Sequence, residues 1–252
     1  MTEDGKIPFT AHLEELRSRL ITCIVAVVVG FVISYAVKEQ LFKILTRPLI
    51  AVMGAGDKLI FTGLAEAFFT YLKVSFLSAL LLAAPVILYQ FWMFVAPGLY
   101  DKERRLLIPI LFLSCLFFIG GGLFGYFFVF PLGFKFFLGF SSDTIKALPS
   151  MREYLSFSSK MLLAFGLAFE LPIVMTFMAK LGMVSVAFLK KNRKYAVLLI
   201  FIVAAILTPP DALSQIMMAI PLMGLYEIGI LGARIFGKKA ESEEINNSGS
   251  LP

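Results

Sequence analysis

Histidine is nearly missing from this chain. His12 is the only one among 252 residues, so a multi-histidine metal site or a histidine-based catalytic triad has little to be built from. Cysteine is almost as scarce. Cys23 and Cys115 both lie inside apolar runs and read as small packing residues, without the spacing of a disulfide framework or a thiolate metal site. Charge is thin as well, at 16% of residues against about 25% in an ordinary soluble domain. Enzyme signatures are absent too: there is no HExxH, no GxSxG, no Walker A loop and no pair of intramembrane aspartates. No enzyme activity, no metal and no cofactor are expected. Nor is there the two-residue alternation of a membrane β-barrel.

What fills the sequence is hydrophobicity. Apolar residues make up 59% of the chain, and mean hydropathy is +0.88. They come in continuous runs that predict an all-α, polytopic membrane protein with six transmembrane helices. The spans fall at about 20–37, 71–94, 106–130, 161–179, 195–208 and 212–233. The third apolar run continues to Phe134, longer than a span needs, so it tilts or runs on into the next loop. The fifth is only about 21 Å of helix at 1.5 Å per residue. Paired with the sixth through Pro209, Pro210 and Asp211, it reads as a short hairpin that thins the bilayer locally. A single membrane domain, 1–236, with a disordered tail, 237–252, is the simplest division.

The net charge of +6 does not call for nucleic acid, because the basic residues fall between spans instead of forming one stripe. With six spans both termini share a side. The N-terminus, the turns at 94–105 and 180–194 and the C-terminal tail carry most of the Lys and Arg, which makes that side cytoplasmic. Ahead of the first span, Phe9, Leu13, Leu16 and Leu20 mark an apolar helical stripe, with Thr10 as N-cap and Glu14 placed for a reciprocal cap. This segment is expected to lie at the interface and not to be a cleaved signal. The stretch LFKILTRPLIAVM has a second apolar helical face, with Lys43 and Arg47 opposite. Gly121 and Gly125 form a GxxxG pair, a sign of close helix packing.

Two groups of polar residues stand out. Glu170 sits at the centre of an apolar span, where a carboxylate costs roughly 2.5–3.5 kcal/mol. Pro172 beside it predicts a kink that holds the acid toward other protein. On the cytoplasmic side, Glu14, Glu15 and Glu103 could accept the planar forks of guanidinium groups from a cationic peptide. Equally, they could form ordinary helix pairs with Arg17, Arg19 and Lys102, and charge alone favours that plainer arrangement.

The motifs HLEELRSRL at 12–20, APVILYQFWMFVAPGLYDKERR at 84–105, AFGLAFELPI at 164–173, LTPPDALSQ at 207–215 and AIPLMGLYEIG at 219–229 change that balance. Together they resemble TatC, the multispanning receptor of the twin-arginine protein translocation system, over nearly the whole chain. The resemblance implies kinked helices in a curved, glove-like bundle in the bacterial inner membrane, both termini cytoplasmic. It implies binding of twin-arginine signal peptides, recruitment of TatA- and TatB-type single-span subunits, self-association in a receptor complex, and export of folded proteins driven by the proton-motive force. Glu15 and Glu103 would take the signal-peptide arginines, with Arg17, Arg104 and Arg105 orienting them and Phe94 beside them. Glu170 would be a polar group on the concave face. Pro48, Thr208, Asp211, Gln215 and Glu227 would be functional or partner-contacting positions. A proton-coupled transporter is the main competitor, but the two halves show no internal repeat. An intramembrane enzyme lacks a nucleophile–base pair, and a bare scaffold leaves Glu15 and Glu103 unexplained.

Overall fold

The computed structural model describes residues 9–53, 59–60, 63–95, 107–140, 148–208 and 211–237. The expected tail beyond Gly237 lies outside the described residues. Those described are almost entirely helical: α1 Phe9–Ala36, α2 Lys38–Ile50, α3 Glu66–Val95, α4 Leu107–Phe124, α5 Phe130–Leu138, α6 Met151–Ala168, α7 Leu171–Lys180, α8 Val186–Lys191, α9 Arg193–Leu207 and α10 Ala212–Phe236. A π-helical turn, Gly125–Val129, joins α4 to α5. Five segments are long and apolar enough to cross a membrane: His12–Ala36, Glu66–Val95, Leu107–Leu138, Met151–Lys180 and Ala212–Phe236. The remaining expected span, α9, is fifteen residues, about 22 Å of helix.

The helices outrun the apolar runs. The amphipathic stripe before the first span belongs to α1 itself, since no Gly or Pro between Phe9 and Val29 interrupts it. Thr10 therefore lies inside α1 and is not its cap. The long third run continues as helix through the π turn to Leu138. Helix α6 begins at Met151, ten residues before the expected fourth span. The kink at Glu170 is present. Helix α6 stops at Ala168, Glu170 caps α7, and Pro172 occupies the first turn, where its missing N–H costs nothing.

Contacts divide the chain into two compact units, one up to Gly166 and one from Leu167. In the first, α1 and α4 pack on α3, and α2 packs on α3 and α5. The α1–α3 approach is close at Gly30, where a Cβ would lie 3.1 Å from the Ala79 carbonyl oxygen. The buried Trp92 indole donates to Ser114 Oγ at 2.9 Å, tying α3 to α4. Phe130, Phe134, Tyr154 and Phe157 pack as a cluster of tilted and edge-on rings between α5 and α6.

Helix α2 shows how a proline is accommodated. It buries Leu45, Thr46, Pro48 and Leu49 and leaves Lys43 and Arg47 exposed, as its periodicity predicts. Pro48 cannot donate to the carbonyl four residues back, Ile44. Tyr126, on the π turn, donates its hydroxyl to that oxygen at 2.6 Å. Tyr154 on α6 donates to the next one, Leu45 O, at 2.5 Å.

In the second unit, α7 and α9 pack on α10. The α7–α10 contact is the tightest glycine-mediated approach among the described residues. A Cβ at Gly232 would lie 2.1 Å from Thr176 Oγ1, and one at Gly229 2.6 Å from Met175 Sδ. The Gly121–Gly125 pair is looser, with Gly125 facing Phe165 at 3.3 Å.

Candidate functional site

The N-terminal end of α1 meets the C-terminal end of α3. Glu15 and Arg19 are four residues apart, hence on one face of α1. Arg19 Nε and Nη2 both reach Glu15 Oε1, at 3.0 and 2.5 Å. The same guanidinium spans to α3, donating Nη1 to Gln90 Oε1 at 3.0 Å. One turn earlier, the His12 ring stacks on Phe94, with centroids 4.4 Å apart and planes 19° apart. His12 Nδ1 stands 3.9 Å from Glu15 Oε2, beyond hydrogen-bond distance.

The result is a carboxylate whose two oxygens differ. Oε1 is held by Arg19, which fixes the rotamer of Glu15. Oε2 accepts no hydrogen bond from the described residues and lies beside the flat His12–Phe94 stack. Both Glu15 and Arg19 are partly exposed, at 26% and 20%, so the site is open to a ligand but not fully solvated. A guanidinium brought to Oε2 gains a charge-assisted hydrogen bond without first displacing Arg19.

Of the residues expected here, Glu15 and Phe94 come together, with His12 between them. Arg17 and Glu14 are exposed on other faces of α1. Lys102, Glu103, Arg104 and Arg105 lie outside the described residues. Pro48 is away from this cluster, buried in α2 among the tyrosine contacts already described. Arg19 was expected only as a helix partner of the acids on α1, and Gln90 carried no expectation. The i,i+4 spacing was visible in the sequence. The pairing with Gln90, 71 residues on, was not.

In the second unit the expected residues fall at two ends. Thr208 ends α9, with its hydroxyl turned back to Ala204 O at 2.8 Å. Asp211 caps α10 through Oδ1 and the Ser214 amide, 2.7 Å. One turn on, Gln215 Nε2 donates to Phe201 O on α9 at 3.0 Å. These three make up the polar tip of the α9–α10 hairpin. Glu227, near the other end of α10, pairs with Arg193 at 2.6 Å. Close by, Tyr226 donates to Leu189 O at 2.9 Å. Glu170 is buried at the α7 cap, its carbonyl accepting the first α7 bond from Val174 N at 2.9 Å.

A further acid went unnoticed in the sequence. Glu66, buried at the start of α3, accepts from Gly63 N at 3.2 Å, Ser150 Oγ at 2.9 Å and Arg152 N at 2.9 Å. Beside it, Ile60 and Ser150 form an isolated parallel bridge. Glu66 thus ties the segment before α3 to the start of α6, at the end of the unit opposite Glu15.

A family model described as Sec-independent protein translocase protein (TatC) matches residues 11–221. Among curated proteins, the Sec-independent protein translocase protein TatC of Desulforapulum autotrophicum is 67% identical over 96% of this chain and 90% of its own length. That of Escherichia coli K12 is 40% identical, covering 97% of this chain and 95% of its own length. Among solved structures, a crystal structure of the twin-arginine translocase receptor TatC superposes with a TM-score of 0.82 at 41% identity. That match covers 89% of this chain and 99% of the other. With membrane-length helices at the expected places and relatives this similar along the whole chain, the protein is a multi-pass membrane protein that belongs to the TatC family of Sec-independent protein translocases.

Proposed function

We propose that this chain is the receptor and core subunit of a twin-arginine translocation system, binding the arginine pair of a signal peptide at Glu15 and Glu103. The observation that carries the reading is the Glu15 carboxylate, held by Arg19, which is itself bonded to Gln90, with one oxygen free of hydrogen bonds among the described residues, beside Phe94 where α3 ends. Glu103 comes nine positions after Phe94, so the second acid belongs to the segment that follows α3 in the chain. Arg17, Arg104 and Arg105 orient the acids or the loop. Two guanidinium forks on two carboxylates explain a demand for arginine over lysine, since an ammonium offers no planar bidentate edge.

The hairpin tip of the second unit suits a single-span partner of TatA or TatB type. Thr208 and the Asp211 Oδ1 are spent on helix ends, which leaves Asp211 Oδ2, without a hydrogen-bond partner among the described residues, and the Gln215 side-chain oxygen as acceptors for a polar group on a partner helix. Glu170, Pro48 and Glu227 act in placing the cargo peptide, holding α2 and fastening α10. The remaining features of the reading are one membrane domain over 1–236 in the bacterial inner membrane, cytoplasmic termini, self-association and use of the proton-motive force. They rest on family membership and on the distribution of positive charge.

The test is site-specific crosslinking of a signal peptide in membranes, with probes beside residues 15 and 103. Crosslinks are expected with the arginine-pair peptide and wild-type chain. They should fall at least tenfold for Glu15→Gln, for Glu103→Gln, and for a peptide with both arginines changed to lysine, matching the loss of roughly 1.5–3 kcal/mol for a charged hydrogen bond. Crosslinking indifferent to all three changes would remove the carboxylates from the binding site.

A further inference from the structure

Two lysines of the first unit stand inside membrane-crossing segments and face one cavity. Lys73 lies seven residues into α3 from Glu66, about 10 Å along the axis, and Lys160 nine residues into α6 from Met151, about 13 Å. Both are exposed on the protein surface. Both line a cavity of about 430 Å³ whose walls include Phe31, Phe76 and Leu163. Ser159 lines it too, and its buried hydroxyl has no hydrogen-bond partner among the described residues. Lys73 also lines an adjoining cavity of about 450 Å³, together with Arg152 and Glu66.

Neither lysine forms an ion pair with a described acid. Glu66 is engaged with the Gly63 and Arg152 amides and the Ser150 hydroxyl, and Glu153, the other acid on α6, lines neither cavity. A cation at membrane depth is costly. It can be relieved by reaching up to the interface or by drawing in an anion. Here two cations converge on one groove, with a hydroxyl donor between helix faces and apolar walls below. That combination matches the two ends of an anionic phospholipid. A free phosphate would leave the apolar wall uncovered, and one helix carboxylate would leave a second ammonium without a partner.

We propose that this groove is a binding site for one anionic phospholipid. Its phosphate sits between Lys73 and Lys160 with Ser159 as a hydroxyl donor, and an acyl chain lies against Phe31, Phe76 and Leu163. Arg152, in the adjoining cavity, draws the headgroup toward the loop that Glu66 ties down. The site is at the end of α3 away from Gln90, so it is independent of the Glu15 corner.

The test is native mass spectrometry of the full chain in detergent, titrated with phosphatidylglycerol, phosphatidylcholine, oleate or glycerol 3-phosphate. One phosphatidylglycerol should be retained in preference to phosphatidylcholine, and glycerol 3-phosphate should not compete. Lys73→Gln and Lys160→Gln should each weaken phosphatidylglycerol retention about fivefold, and the double variant should lose the preference. The double arginine variant, Lys73→Arg with Lys160→Arg, should keep it. Equal retention of the two phospholipids by wild type, or undiminished retention by the double glutamine variant, would overturn the proposal. Competition by glycerol 3-phosphate would overturn it in favour of a free-anion site. Oleate held in place of phosphatidylglycerol would overturn it in favour of a carboxylate partner.

Discussion

Pro48 and Tyr126 form a pair 78 residues apart in sequence that acts as one unit. The proline removes the donor for Ile44 O, and the tyrosine hydroxyl supplies another at 2.6 Å. Tyr126→Phe is expected to remove that donor and to cost about 0.5–1.5 kcal/mol. In the Pro48→Ala background the same change should cost less, because the alanine restores an N–H for Ile44 O. Thermal unfolding of the four proteins in detergent reads this directly. Strictly additive losses would mean that the hydroxyl does not compensate for the proline.

Among whole elements, α9 is the outlier. Its fifteen residues reach about 22 Å, where a bilayer core is about 30 Å thick. It is bounded firmly: Thr208 closes one end on Ala204 O, and the Asp211 cap begins the return. Locally thinned bilayer is the consequence we assign to it, lowering the barrier to a passing cargo. Inserting one turn of four apolar residues after Ile200 should reduce export of a folded reporter severalfold while signal-peptide crosslinking stays near wild type. Full export with normal crosslinking would separate span length from transport. The π turn of Gly125–Val129 shows the opposite kind of irregularity: length is unaffected, and Tyr126 is placed at the α2 carbonyl.

On the scale of the molecule, long-range polar ties hold each unit at its ends. Arg19 reaches Gln90 at one end of the first unit. Glu66 gathers Ser150 and the Arg152 amide at the other. Arg193 and Glu227 fasten the second unit. Glu66→Ala removes an acceptor shared by three donors. The expected outcome is faster amide hydrogen exchange at Arg152 and Met151 with exchange around Gln90 unchanged, and Glu66→Gln should show an intermediate effect because one carbonyl acceptor remains. Exchange unaltered at residues 150–152 would mean that the Ile60–Ser150 bridge alone holds that loop.

The sequence by itself determined which segments are helical and apolar, the bend at Glu170–Pro172, the amphipathic face of α2 and the family. All of these are written in composition, local periodicity or contiguous motifs. Helix ends were less legible: α1 and α6 extend beyond their apolar runs because polar residues continue a helix as readily as apolar ones. Only the tertiary structure decided the partners. Arg19 could have been satisfied within its own helix by Glu15, and its second bond to Gln90 depends on how α1 crosses α3. Glu66 carried no signal in the sequence, and two of its three donors lie 84 and 86 residues away. The looser Gly121–Gly125 pair, where α4 runs into the π turn, and the tight Gly229–Gly232 contact of α10 with α7 offer the same absence of side chain. What separates them is the facing helix, which no local pattern records.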